Sequence, residues 1–466
     1  MQYNDFLEEK EIIFKPSGFQ INRDDLPSNL FDFQKDFTLY ALRKGKAGIF
    51  ADTGLGKTPM QIVWADKTQQ EFRKPVLIIA PLGVAFQTVD IAKKLFGIEI
   101  NYSNIGKPKG NITITNYEHA KKFNPQDYSG VVLDESSILK GFNGHYKKLL
   151  TEMFADTPMK LACTATPNPN DDEEIANHVA YLGIMSREDL LSTFFVHDGK
   201  IYRLKGHAEI KFYKWMASWG MALQKPSDLG YSDEGFILPK LNVTPHFLRS
   251  NYVGNDDLYF TSLKGIGDRI RVRRETYEAK CYQASEMINQ SNEQWIVWCG
   301  LNPESKLAHK LTRESVEISG TDPLEKKIEV FRKFQDGQIK VLVTKPKIAG
   351  FGLNFQNSWN SASIGMSDSF ESFYQYIRRQ YRFGQKHEVN AHVFLADVEQ
   401  QIWDNVLGKE ARANKQRTAL IKNVAEFEKL EITNLGERMD YNPQVIFRLP
   451  KFLNGRKLVV STGSKP

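Results

Sequence analysis

The sequence predicts an α/β fold: two domains built on parallel sheets, with a mostly helical insertion between them. Three observations predict it. Two stretches alternate short apolar strands with amphipathic helices, that pattern breaks off between them, and the 466 residues are too many for one ordinary core. In the first stretch the strand candidates are KAGIFA (46–51), VLIIAP (76–81), ITIT (112–115), VVLDE (131–135) and KLACT (160–164). In the second they are WIVWC (295–299), VEIS (316–319), IKVLVT (339–344), ASIGM (362–366) and NAHVFL (390–395). Runs that are apolar on both faces belong to strands covered on both sides. The expected units are 1–167 and 286–420 as the two α/β domains, 168–285 as the insertion and interdomain connection, and 421–466 as a C-terminal tail. The insertion is rich in aromatics and turns, as in KPSDLGYSDEGF (225–236). The tail is expected to pack partly on a domain and to fray at its end.

Composition narrows the function classes. Hydrophobic residues make up 41% and charged residues 25%, and no apolar run approaches the roughly 20 residues that span a bilayer. No membrane partner is expected. The N-terminus lacks the basic flank and apolar core of an export signal, so a cytoplasmic location is expected. Cys163, Cys281 and Cys299 form no Cys-x-x-Cys pair, which argues against a disulfide framework and a structural zinc. The net charge of +6 points weakly to a polyanionic partner.

The chemistry lies in three motifs. KAGIFA runs into ADTGLGKT (51–58) and then into a helical stretch, the strand, loop and helix order of a phosphate-binding loop. Thr53, Gly54, Leu55 and Gly56 form its turn, the glycines letting backbone N–H groups approach phosphate oxygens. Lys57 can neutralise the β and γ phosphates of ATP and Thr58 can ligate Mg2+. Next, VVLDE delivers Asp134 and Glu135 to the C-terminal edge of a strand, where open α/β sheets bind ligands. Asp134 would hold the hydrated magnesium, and Glu135 would be the general base that orients and deprotonates the attacking water. Upstream, the Gln34 amide can donate and accept at once, as the adenine edge requires, although a surface glutamine would look the same. Finally, ESFYQYIRRQYRFGQ (371–385) reads as one helix ending at Gly384, with Gln375, Arg379 and Arg382 sharing a face. Two guanidinium groups so placed suit a γ-phosphate across a cleft, and they are assigned as arginine fingers.

Two further stretches stay open. Phe212, Trp215, Met216 and Trp219 recur at helical spacing, favouring a core-facing brace helix over a base-stacking element. The cluster DRIRVRRE (268–275) suits either phosphate neutralisation or a solvated helix start.

In order along the chain, LFDFQ, ADTGLGKT, VLIIAPLGVAFQT, ITITNYE, VVLDESSILKG, CTATPNPND, WIVWC, VTKPKIAGFGLNFQ and QYIRRQYRFGQ resemble the motifs of superfamily-two helicases and translocases. The Arg-x-x-Arg-x-Gly-Gln ending and the Ala-Gly-Phe-Gly-Leu-Asn stretch are more similar to the Swi/Snf branch than to the DEAD-box branch. The compact layout also resembles helicase-like proteins of bacteria and their phages. The resemblance implies two RecA-like domains, and coupling of hydrolysis to movement through Thr164 and Thr166. It places Gly350 and Gly352 at the cleft beside the nucleotide, and phosphate contacts near Pro81, Asn116, Tyr117 and Thr344. Two departures stand out: Ser137 occupies a place where such proteins usually carry His, and the large inserts of chromatin remodellers are absent. The expected activity is a DNA-stimulated ATPase translocating on duplex DNA. The alternatives are a strand-separating DNA or RNA helicase and a nucleotide-gated nucleic-acid clamp with little turnover. No residue pattern points to a protein loading partner.

Overall fold

A computed structural model of the chain describes residues 16–139, 144–165, 167, 172–199, 202–249, 266–349, 353–366 and 370–433. The first sheet holds β1 (Lys46–Ala51), β2 (Val76–Ala80), β3 (Asn101–Tyr102), β4 (Ile112–Asn116), β5 (Gly130–Asp134) and β6 (Met159–Cys163). After a short antiparallel hairpin of β7 (Phe195–His197) and β8 (Tyr202–Leu204), the strand β9 (Gly220–Leu223) returns to this sheet. Its order is β3-β4-β2-β5-β6-β1-β9, parallel throughout. The second sheet holds β10 (Leu241–Leu248), β11 (Trp295–Cys299), β12 (Ser315–Glu317), β13 (Val341–Thr344), β14 (Asn360–Ile364) and β15 (Val389–Ala396). Its order is β10-β15-β14-β11-β13-β12, again parallel throughout.

The continuous apolar runs are strands because helices cover both faces. Every residue of β2, β4, β5 and β6 is buried, and a hydrophobic cluster forms on each side of either sheet. Two α/β layers therefore stand side by side, as the alternating pattern predicts.

The described residues of 168–285 are helical in the main, yet they also give each sheet an edge strand, β9 beside β1 and β10 beside β15. Pro245 within β10 cannot donate to a ladder, which suits a strand at the sheet's edge and conceals it from a pattern search. The aromatic helix Glu209–Ala217 is a brace: Phe212, Met216 and the following Trp219 are buried in the first domain's core.

The supposed tail boundary falls inside one long helix, Gln400–Ile432. This helix starts just after β15, and its C-terminal part lies on the first domain. Ile421 and Val424 enter that core, the Ala222 N–H donates to Glu428 Oε1 at 2.6 Å, and Lys44 pairs with Glu431 at 2.8 Å. The rest of the tail lies outside the described residues. No helix among the described residues is long and apolar enough to cross a membrane.

Candidate active site

β1 ends at Ala51 and the helix Lys57–Phe72 begins six residues on, so the loop between them must turn back sharply. Gly54 and Gly56 make the turn at φ of 92° and 78°, values that favour glycine. Space demands glycine as well: a Cβ on Gly56 would lie 2.2 Å from Gln34 Nε2, and one on Gly54 2.8 Å from the Phe383 amide nitrogen. Lys57 Nζ donates to the Ala51 carbonyl at 2.8 Å and the Asp52 carbonyl at 3.2 Å. Burial draws its pKa below the ordinary lysine value, against the opposing pull of Glu135, Asp52 and Asp134.

Asp134 ends β5 and is buried. Gln61 Nε2 donates to its Oδ1 at 2.8 Å and the Glu135 N–H to the same oxygen at 3.1 Å. Burial, helped by the Glu135 charge, raises its pKa. A carboxylate held in this way gains from a nearby cation. Among the described residues no cluster of three or more His, Cys, Asp or Glu could cage a metal. An ion held by Asp134 and Thr58 would take its remaining ligands from phosphate and water, which is the habit of magnesium, and the donor set fits that ion.

The second domain closes over this loop. Tyr374 OH donates to Asp52 Oδ1 at 2.5 Å, Arg378 Nη2 lies 3.9 Å from Asp52 Oδ2, and Gln375 Nε2 lies 3.4 Å from Glu135 Oε1. Thr53, Gly54, Gly56, Lys57, Thr58, Asp134, Glu135, Gln34, Gln375, Arg379 and Arg382 all line one cleft of about 590 Å³. Leu55 is buried beneath the loop. Burial lowers the Arg379 pKa, while Glu135 and Asp134 oppose it; Arg382 is drawn down to about 10 by burial and then by the Arg379 charge.

The helix expected over 371–385 is shorter than predicted. It spans Phe370–Ile377 and continues as turns, because the Phe355 N–H takes the Arg379 carbonyl at 2.8 Å. The buried Gln380 amide also donates to the carbonyls of Ser358 at 3.1 Å and Asn360 at 2.9 Å. Arg379 and Arg382 thus project from turns and do not share a helix face with Gln375, although all three reach the cleft.

Gln34 is bonded within the first domain. Its Nε2 donates to the Leu55 carbonyl at 3.0 Å and its Oε1 accepts from the Phe31 N–H at 3.1 Å, so it braces the phosphate loop. Beside it, Phe31, Phe236 and Phe383 form an aromatic wall of the cleft, with ring centroids 4.7 to 6.0 Å apart. Sequence reasoning missed this wall, along with Asp52, Gln61, Tyr374 and Arg378. The i, i+4 pair Tyr374 and Arg378, next to Gln375 and Arg379, was the available signal.

The residues assigned to nucleic acid fare differently. Pro81 lines the same cleft. Asn116 is buried and accepts from Tyr102 OH at 3.1 Å. Tyr117 is buried with its OH donating to the Asp134 carbonyl at 2.6 Å, and Thr344 is buried with Oγ1 donating to the Ile318 carbonyl at 3.3 Å. In this arrangement the side chains of Asn116, Tyr117 and Thr344 bond within the fold. Arg273 of the basic cluster is likewise committed, bonded to Glu304 and to the Ile364 carbonyl. Thr164 is buried, its N–H donating to the Ile49 carbonyl at 3.2 Å. Thr166, Gly350 and Gly352 lie outside the described residues.

The Asp52 contacts predict a mutant. Tyr374→Phe removes a hydrogen bond to a charged group, a kind that contributes about 1.5–3 kcal/mol. The nucleotide-free protein should open, read as a larger radius of gyration in small-angle scattering. An unchanged radius would show that this contact does not hold the domains together.

No family model matches the chain. It is similar to the mouse "DNA annealing helicase and endonuclease ZRANB3", 26% identical over 170 residues, which is 33% of this chain and 16% of that protein. The protein of the same name from Bos taurus is 21% identical over 428 residues, 80% of this chain and 39% of that one. The chain thus spans well under half the length of either relative. Among solved structures, "Sulfolobus solfataricus SWI2/SNF2 ATPase core in complex with dsDNA" superposes with a TM-score of 0.42 at 16% identity, covering 88% of this chain and 99% of that one.

Proposed function

We propose that this chain, similar to proteins named as DNA annealing helicases and Swi/Snf-like in its motifs, is an ATPase that duplex DNA stimulates and that moves along the duplex without parting it. One observation carries the reading: Lys57, Asp134 and Glu135 from the first domain meet Gln375 and Arg379 from the second across a single cleft. Lys57, Lys94, Arg378, Arg379 and Arg382 line the cleft and outnumber its carboxylates Asp90, Asp134 and Glu135, even with Asp52 beside Arg378 added, so the cleft favours an anion.

In this reading Lys57 exchanges its two carbonyl partners for the β and γ phosphates of ATP. Thr58 and Asp134 would hold magnesium, which would supply positive charge beside the phosphate oxygens. Glu135 orients a water and takes its proton, while Arg379 and Arg382 meet the charge that grows on the transferring group. Gln34 and the wall of Phe31, Phe236 and Phe383 receive the base. Because the site is split between the domains, nucleotide state changes how they sit together. A nucleic acid lying across both is then gripped differently before and after hydrolysis. Both sequence relatives are named as DNA helicases, which favours DNA over RNA.

The test is ATPase activity with no nucleic acid, single-stranded DNA, duplex DNA and RNA in parallel, joined to displacement of a third strand from a triplex. Duplex DNA should stimulate most, and the third strand should leave with the underlying pair intact. Binding should weaken steeply with salt, since contacts to phosphates release counterions. Efficient separation of a tailed duplex, with stronger stimulation by single strands or RNA, would replace this reading with the strand-separating helicase.

A further inference from the structure

Glu135 has a φ of 60°, in the left-handed region that a non-glycine residue occupies only when its surroundings hold it there. Buried side chains hold the residues on either side of it, one by the backbone and one by the side chain. Before it, Tyr117 OH donates to the Asp134 carbonyl at 2.6 Å. After it, His178 Nε2 lies 3.0 Å from Ser136 Oγ. Ser136 and His178 are 0% and 1% exposed, so water does not compete for this bond.

His178 comes from a different element, the helix Ile175–Leu182, and its ring meets the ring of Phe50 edge to face at 5.4 Å. Phe50 lies on β1 at the entry to the phosphate loop. The imidazole thus sits between the strand that leads to Lys57 and the residue that follows Glu135. Its Nδ1 has no hydrogen-bond partner among the described residues, so its polar contact is the one to Ser136. Burial brings its pKa down to about 4, which leaves the ring neutral at pH 7 and able to orient a neighbour without altering the net charge of the cleft.

We propose that His178 is a positioning residue for the candidate general base: through Ser136 Oγ it fixes the backbone that follows Glu135 and so aims the Glu135 carboxylate. This rests on the ATPase reading above. It assigns work in the reaction to a helix that contributes no residue to the lining of the cleft.

The test compares kcat and the ATP KM, with saturating duplex DNA, in the full-length wild type, Glu135→Gln, His178→Leu, His178→Gln and Ser136→Ala. A small misplacement of a reacting group costs on the order of tenfold to a hundredfold in rate. His178→Leu and Ser136→Ala should lose that much kcat with little change in KM or in the thermal midpoint. His178→Gln, whose amide can reach the same hydroxyl, should recover most of the loss. If His178→Leu does not yield folded protein, Ser136→Ala, which removes a single oxygen, decides alone. Near-wild-type kcat in Ser136→Ala and in any folded His178→Leu, with Glu135→Gln inactive, would overturn the proposal and spare the ATPase reading. Equal losses in His178→Leu and His178→Gln would also overturn it, since packing alone would then explain them. A wild type without turnover would overturn the ATPase reading itself.

Discussion

Arg379→Ala is expected to lower ATP turnover by about a thousandfold, with a much smaller change in ATP affinity. Arg379 is buried and its charge interacts with Glu135 and Asp134, so it lies beside the groups assigned to the attacking water and the metal. A cation in that position attracts ATP in the ground state. It attracts the transition state more, because charge then accumulates on the oxygens of the transferring group. Arg382 lines the same cleft, but the charge that acts on it is that of Arg379, so Arg382→Ala should lose less. Steady-state kinetics with a parallel nucleotide-binding titration would separate the two effects. Turnover near wild type in Arg379→Ala would remove the second domain from the chemistry.

Glu135→Gln should lose turnover by roughly a hundredfold to ten-thousandfold, the range in which a positioned base contributes, and should keep ATP binding. The amide has nearly the shape of the carboxylate, and its oxygen can still accept from Gln375 Nε2, so the contact across the cleft should survive. The mutant should then accumulate in the ATP-bound state and retain duplex DNA in a filter-binding assay with ATP present. Loss of ATP binding in this mutant would mean that Glu135 holds the nucleotide and does not activate water.

The parts of this molecule that were legible in the sequence are those whose cause is local. Buried parallel strands such as β2 and β5 announce themselves as unbroken apolar runs. The phosphate loop announces itself through strand, glycines, lysine and helix in succession. Asp134 and Glu135 follow from the end of a strand. The strand β3 was hidden because it has only two residues, β9 because it follows directly on the aromatic run at helical spacing that ends at Trp219, and β10 because Pro245 interrupts its pattern. The turn that ends the helix at Ile377 depends on Phe355 and Gln380 finding partners elsewhere in the second domain, which no periodicity records. Tyr374 and Asp52 meet across 322 positions of chain, and the wall of Phe31, Phe236 and Phe383 is assembled from three distant segments. Such contacts exist only once both domains have formed.

The helix Gln400–Ile432 leaves the second domain after β15 and fastens its far end to the first through Val424, Glu428 and Glu431. At about 1.5 Å per residue it is roughly 50 Å long, comparable to a whole domain. The chain between β9 and β10 is a separate bridge between the same two bodies. A rigid body held at two places has lost most of its freedom to translate, and what remains is rotation about the line through both attachments. Two such attachments make the cleft a book with a spine, and in the proposed motor the advance along DNA per ATP would be its opening angle multiplied by the distance from the spine to the phosphates gripped.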